Sequence, residues 1–315
     1  MGVTSDGIFG EAESEPATAG SYGEPPNGFR LPSGTRLGPV RLRVADAGRS
    51  VAFYESVLGL RVLDRSASQV MLGTQGDDVP LVELHEKHGI RPSPHQSHLG
   101  LYHFAILLPD RPSLGRFLRH LGEIDARAGA ADHLVSESLY LQDPDNLGIE
   151  IYADRPRSRW RRIGKQLKMA TDPLDVPGII REAGDTAWGG MPPGSVMGHL
   201  HLHVGDLARA GLFYSEGIGL DRTVWQYPGA LFMAADGYHH HLGTNTWAGP
   251  DAHAPGPDTA QLLEWTMVLP DSRSLDAVAE NLNRGKHAVE RDNNSAHGDS
   301  LRVKDPWGTA LRIQL

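Results

Sequence analysis

The sequence predicts an α+β protein made of four copies of one βαβββ unit, a strand and a helix followed by three more strands. Two internal matches and one recurring turn carry this. VAFYESVLGL (residues 51–60) lies over GLFYSEGIGL (211–220), with Phe53 and Tyr54 over Phe213 and Tyr214 and the Gly-Leu pairs coinciding. LYHFAILLPDRPSL, from Leu101, faces LLEWTMVLPDSRSL, from Leu262, and each contains a Leu-Pro-Asp turn into a helix. Both of these units then end in a strand after an Asp-Pro turn, Asp143–Pro144 and Asp305–Pro306.

The elements of the first unit follow in order. Residues 40–44 (VRLRV) alternate like a half-buried strand, and Asp46 leads into residues 47–58, where Val51, Phe53, Tyr54 and Leu58 fit a helix face. Gly59 ends that helix. Alternating segments at 60–64, 69–73 and 81–85 supply three further strands. In the third unit LHLHV (200–204) is the first strand, Gly205, Asp206 and Leu207 the turn, and 208–218 the helix. The four units span about 38–88, 99–154, 196–248 and 260–315. They divide the chain into an N-terminal pair, 38–154, and a C-terminal pair, 196–315, joined by a linker at 155–195.

Composition narrows the classes. A hydrophobic fraction of 39% with 22% charged residues suits a globular protein, and no apolar run approaches the roughly 18 residues of a membrane span. The absence of cysteine excludes disulfides, thiolate metal sites and a cysteine nucleophile. A net charge of −9, with a Lys/Arg stripe only at 155–162, argues against nucleic acid. Sixteen histidines leave imidazole as the main transition-metal donor. Residues 1–37 carry Glu11, Glu13, Glu15 and Glu24 among many Gly, Ser and Pro, without the basic start and apolar core of a secretory leader. They read as a disordered or loosely draped arm, and the protein as cytoplasmic.

With four such units, the chain resembles the vicinal-oxygen-chelate superfamily of extradiol dioxygenases, glyoxalases and fosfomycin-resistance proteins. GLYHFAILLPDR, LYLQDPDNLGIEIYADRPR, MGHLHLHVGDL and GYHHHLGTNTW are similar to the bacterial catechol-2,3-dioxygenase group with four units per chain. The resemblance covers nearly all of residues 38–315. It implies paired units curled into two cup-shaped, half-open barrels with a metal inside, and a homo-oligomer.

In that superfamily the metal ligands come from the first and last strands of units that pair. The first-strand position holds His103 in the second unit, His199 in the third, Pro39 in the first and Glu264 in the fourth. The last-strand position holds Glu150 in the second unit and Arg312 in the fourth. Good donors therefore fall in units two and three, which gives a metal site of His103, Glu150 and His199 if those units pair. Two imidazoles and one carboxylate form the facial triad of non-haem Fe(II) oxygenases, with positions left for a catechol and O2; Mn(II) suits the same donors. A rival set in the C-terminal half, His199, His241 and Glu264, remains open.

The resemblance also implies an acid/base histidine near the last strand of the third unit. Strand alternation puts His239 and His241 on one face and His240 on the other, and His241 is favoured because Asn245 and Trp247 continue its face. His239 is the second choice. Tyr140, ten residues before Glu150, matches a tyrosine beside the substrate in extradiol enzymes, and His133 a histidine upstream of it. His201, Asn245 and Trp247 are expected to line the substrate pocket. His201 and His203 share the face of His199 and could compete as ligands, while Glu83 and His85 read as remnants in the outer units. Any of these residues taken singly could be an ordinary strand residue. The expected activity is extradiol cleavage of a catechol by O2; the alternatives are a glyoxalase-type isomerase or lyase and a non-enzymatic binding protein.

Overall fold

The computed structural model describes residues 4–9, 12–94, 97–295 and 298–315. A short helix, α1 (Ser5–Phe9), and strand β1 (Glu15–Pro16) form the arm. Unit one contains β2 (Arg36–Val44), α2 (Ala47–Ser56), β3 (Arg61–Arg65), β4 (Gln69–Gly73) and β5 (Pro80–Glu86). Unit two contains β6 (Gly100–Leu107), α3 (Arg111–Glu123), β7 (Gly129–Asp132), β8 (Ser136–Gln142) and β9 (Gly148–Asp154). The linker holds β10 (Arg161–Ile163), β11 (Gln166–Leu167) and α4 (Val176–Ala183). Unit three contains β12 (Val196–His203), α5 (Leu207–Ala210), which continues as a π-helix over Gly211–Ile218, β13 (Asp221–Val224), β14 (Ala230–Ala234) and β15 (Leu242–Asn245). Unit four contains β16 (Gln261–Val268), α6 (Ser272–Arg284), β17 (Val289–Ser295), β18 (Gly298–Lys304) and β19 (Ala310–Gln314).

Each unit's helix starts in the same way. Asp46, Asp110, Asp206 and Asp271 stand in extended backbone, and each carboxylate accepts the N–H three residues on, which satisfies one of the otherwise unpaired first-turn donors. Gly59 and Gly219 follow the helices of units one and three at φ 71° and 104°, a left-handed conformation that a side chain would strain.

The strands form two eight-stranded sheets. The inner sheet runs β13-β14-β15-β12-β6-β9-β8-β7 and the outer one β17-β18-β19-β16-β2-β5-β4-β3. Units two and three thus share one sheet and units one and four the other. The halves 38–154 and 196–315 are halves of the sequence only, since each gives one unit to each sheet. The central joints are antiparallel in both, β6 against β12 and β2 against β16. Reciprocal bonds tie the sheets together. The Tyr54 hydroxyl on α2 donates to Asp143 at 3.2 Å, and Tyr214 on the π-helix donates to Asp305 at 3.0 Å.

Two segments outside the four units are ordered against them. The arm, expected to be disordered or loosely draped, packs where it is described: β1 pairs with β10, Arg30 holds Asp221 through two bonds of 2.5 and 2.7 Å, and Leu31 is buried. Its Gly and Pro content hid a segment that gains order from the surface it covers. The linker is likewise a structured part of the inner barrel, with Trp160, Leu167 and Met169 buried against Val224 and Phe232. No helix among the described residues is long and apolar enough to cross a membrane.

Candidate metal centre

Strand register gathers the three expected ligands. On β6 the side chains of His103 and Ala105 share a face. Ala105 is flanked by His199 on β12 and by Glu150 on β9. Its single methyl leaves the space between them open. His103 Nε2 and His199 Nε2 lie 3.0 and 3.1 Å from the same oxygen, Glu150 Oε2, and the donor atoms of the three residues all fall within 4.8 Å of one another. All three side chains are buried. Beside His199, Gly198 is required: a Cβ there would sit 1.9 Å from the Tyr152 hydroxyl.

A metal fits this set. Three ligands at about 2.1 Å from an ion, spaced at right angles, stand about 3 Å apart, the separation found between each imidazole and Glu150. His103 Nε2 is buried, with the Glu150 oxygen 3.0 Å away but no hydrogen bond of good geometry among the described residues. A nitrogen left unsatisfied in this way is costly unless a cation completes it. The charge state agrees. Burial would raise the Glu150 carboxyl, but the His199 and His103 imidazoles hold it well below the usual range. Burial depresses His199 to about 4 against the pull of Glu150, so it is neutral at pH 7. An ionised carboxylate with a neutral imidazole is the form that ligates. Ser138 Oγ donates to the other oxygen, Glu150 Oε1, at 2.6 Å and fixes its orientation.

The centre opens into a cavity of about 570 Å³ lined by His133, Tyr140, His201, His240 and Trp247, among others. Met169, Ala170 and Thr171 of the linker and Tyr227 and Phe232 of unit three complete its wall. His133 Nδ1 lies 2.6 Å from the Ala170 carbonyl oxygen, so that nitrogen carries the proton and Nε2 accepts from the Tyr140 hydroxyl at 2.5 Å. Burial, reinforced by Glu150, pushes Tyr140 well above its ordinary value and keeps it a neutral phenol. His201 stands among Tyr102, His103 and Trp247, neutral because burial drives it well below the imidazole range. It is not drawn into the ligand cluster, and neither is His203, whose Nδ1 lies 2.6 Å from Asn245 Oδ1.

The histidine loop differs from expectation. Residues 238–241 are not strand; the chain turns at Asp236 and Gly237, both at positive φ, and β15 begins only at Leu242. Strand alternation therefore does not apply. His240 lines the cavity, with its ring centroid 4.1 Å from that of His199. His241 instead accepts the Ala235 N–H through Nδ1, and His239 turns to Asp154, 2.9 Å away. Neither lines the cavity. Asn245 also misses the wall, engaged by His203 and by the Trp247 N–H. Tyr102, Ser138 and His240 are the site residues that the sequence reading missed. Ser138 was within reach of it, since it shares the Tyr140 face at i−2.

The rival set of His199, His241 and Glu264 is excluded by topology. Glu264 lies in the outer sheet, bound to Arg41, Arg302 and Arg312 at 3.1, 2.7 and 2.9 Å. Glu83 of the same sheet is held by Arg41 at 2.7 Å, with His85 at 3.7 Å.

Paired βαβββ units curled around a two-histidine, one-carboxylate cluster define a class of metal-binding cup, and the comparisons with known proteins name the family. Residues 36–151 match the Glyoxalase/Bleomycin resistance protein/Dioxygenase superfamily. The chain is 44% identical over 276 residues to a protein named catechol-2,3-dioxygenase from Bacillus subtilis (strain 168), covering 86% of this chain and 94% of that one. The protein belongs to this superfamily. Among solved structures, a putative dioxygenase from Bacillus subtilis aligns with a TM-score of 0.60 at 11% identity, covering 91% of this chain and 86% of that one. Glyoxalase I from Zea mays aligns at 0.52 and 16% identity, covering 89% and 92%. At these identities the two structures speak to the fold alone.

Proposed function

We propose that this protein is an extradiol dioxygenase of the cytoplasm, cleaving a catechol-type ring with O2 at a mononuclear Fe(II) held by His103, Glu150 and His199. The observation that carries the reading is the pair of imidazoles converging on one carboxylate oxygen, at 3.0 and 3.1 Å, in the lining of a cavity of about 570 Å³. The 44% identical relative bears the name of that activity. Fe(II) held by these three residues would supply Lewis acidity and one-electron redox chemistry; Mn(II) would fit the same donors.

The chain's own groups supply binding and proton movement. His240 sits beside His199 on the cavity wall, and burial keeps it neutral, well below the imidazole range. It takes the catechol proton, the role that the sequence pattern assigned to His241. Tyr140, its own proton directed to His133, presents its phenol oxygen to the substrate side. Phe232, Tyr227 and Trp247 flank the ring, and Trp247, 42% exposed, forms the rim. In the net reaction the carbon–carbon bond next to the diol breaks. Both oxygen atoms of O2 enter the product, a hydroxymuconic semialdehyde.

The test is anaerobic reconstitution with Fe(II), then oxygen-electrode measurement with catechol and alkyl catechols. One O2 consumed per catechol, with a yellow ring-opened product, is expected. Absence of uptake with every catechol sinks the reading, and turnover of a hemithioacetal without O2 would favour the isomerase alternative.

A further inference from the structure

A chain of contacts runs behind His240. Asp154 ends β9, the strand that carries Glu150, and its Oδ1 lies 2.9 Å from His239 Nε2. His239 Nδ1 lies 2.7 Å from His240 Nδ1. His239 is fully buried, against Trp160 and Tyr238 at ring-centroid distances of 5.5 and 4.0 Å. The Tyr238 hydroxyl donates to the same Asp154 oxygen at 3.2 Å, and Tyr152 and Tyr238 share a hydrogen bond of 2.7 Å.

Hydrogen-bond chemistry orders the protons along this chain. The Asp154 oxygen accepts in this contact, so His239 carries a proton on Nε2. A neutral imidazole then has its lone pair on Nδ1. Two imidazole nitrogens 2.7 Å apart need one proton between them, and with one proton on each ring it comes from His240 Nδ1. That leaves the lone pair of His240 on Nε2, at the ring edge away from His239. The logic matches that of a carboxylate fixing a histidine tautomer in hydrolase triads, extended by one imidazole.

We infer that Asp154 and His239 form a relay of positioning residues, whose 2.9 and 2.7 Å contacts lock His240 in the Nδ1–H tautomer and present its Nε2 lone pair to the metal cavity. The consequence for catalysis rests on the proposed function; the tautomers do not. With His240 in the opposite tautomer, Nε2 would hold a proton and could not accept one from a catechol. The neighbouring histidine is thus as necessary as the one on the wall, because a lone His240 could choose either tautomer.

The experiment uses full-length, metal-free protein labelled with ¹⁵N-histidine, read by long-range ¹H–¹⁵N correlation, with His239 and His240 assigned by single substitution. The expected spectrum shows His239 protonated on Nε2 and His240 on Nδ1. In Asp154→Asn the amide can donate to His239, so the His240 proton should move wholly or in part to Nε2. In the Fe(II)-loaded enzyme the same variant should lose about 10²-fold or more in kcat with KM and iron content unchanged. His239→Gln, checked for folding by circular dichroism, should show the same split. Wild-type His240 protonated on Nε2, or an Asp154→Asn spectrum identical to wild type, overturns the relay. Correct tautomers without turnover of any catechol would leave the relay standing and defeat the proposed function.

Discussion

The inner and outer barrels use one architecture for opposite ends. Register makes the positions equivalent. His103 pairs with His201 as Glu264 pairs with Arg41, and Glu150 lies beside Ala105 as Arg312 lies beside Thr266. Continuing the β2 register places Pro39 where the inner barrel has His199. In the inner barrel, two imidazoles and one carboxylate converge on an open space. In the outer barrel, Glu264 is surrounded by the guanidiniums of Arg41, Arg302 and Arg312, and the Arg312 side chain also reaches Ser300, the counterpart of Ser138. The outer site has in effect replaced a bound cation with covalently attached ones. A buried carboxylate needs positive charge beside it; whether that charge is an ion or an arginine decides whether the barrel binds metal or merely holds together.

Substitution at equivalent positions should separate these roles. The largest effect is expected from His199→Ala or Glu150→Gln, which should take both iron content and O2 uptake to background while circular dichroism stays native. Glu264→Gln should do the reverse. It leaves three arginines around a neutral group and should cost about 3–5 kcal/mol in denaturant unfolding, with iron content unchanged. Gly198→Ala forces a methyl against the Tyr152 hydroxyl and should cost about 1–3 kcal/mol. At the equivalent Gly38 the added Cβ meets the Thr266 methyl at 2.9 Å, so Gly38→Ala should cost less.

The smallest effect concerns the joints between the sheets. Burial raises both Asp143 and Asp305, Asp143 to about 7. An unfolded aspartate titrates near 3.9, so the fold favours the protonated form of each. This contribution to stability is full below about pH 4 and is lost as the pH rises to about 7. Asp143→Asn, which stays neutral and can still accept the Leu147 N–H, should flatten the fall in stability between pH 5 and 8. An unchanged slope in urea unfolding at the two pH values would count against this assignment.

Much of this was readable in the sequence. The Leu-Pro-Asp turns and the helix-opening aspartates mark local events, an N-cap and a chain reversal, that recur wherever the unit recurs. The candidate ligands came from the family resemblance, which implies donors on the first and last strands of paired units, and strand register brings those three side chains together. The histidine loop escaped because Asp236 and Gly237 turn the chain at positive φ, which breaks the alternation that ranked His241 over His240. The arm and linker escaped for another reason. Leu31, Trp160 and Met169 gain burial from distant parts of the chain, and neither segment has a period of its own to announce it.

The central claim, that units two and three together hold the metal, is tested most directly by anomalous diffraction at the iron edge from crystals grown anaerobically with Fe(II). The account predicts one strong peak per chain, about 2 Å from His103 Nε2, Glu150 Oε2 and His199 Nε2, with none near Glu264. A peak among Glu83 and Glu264 in the outer barrel, or an inner cavity without iron, would contradict it.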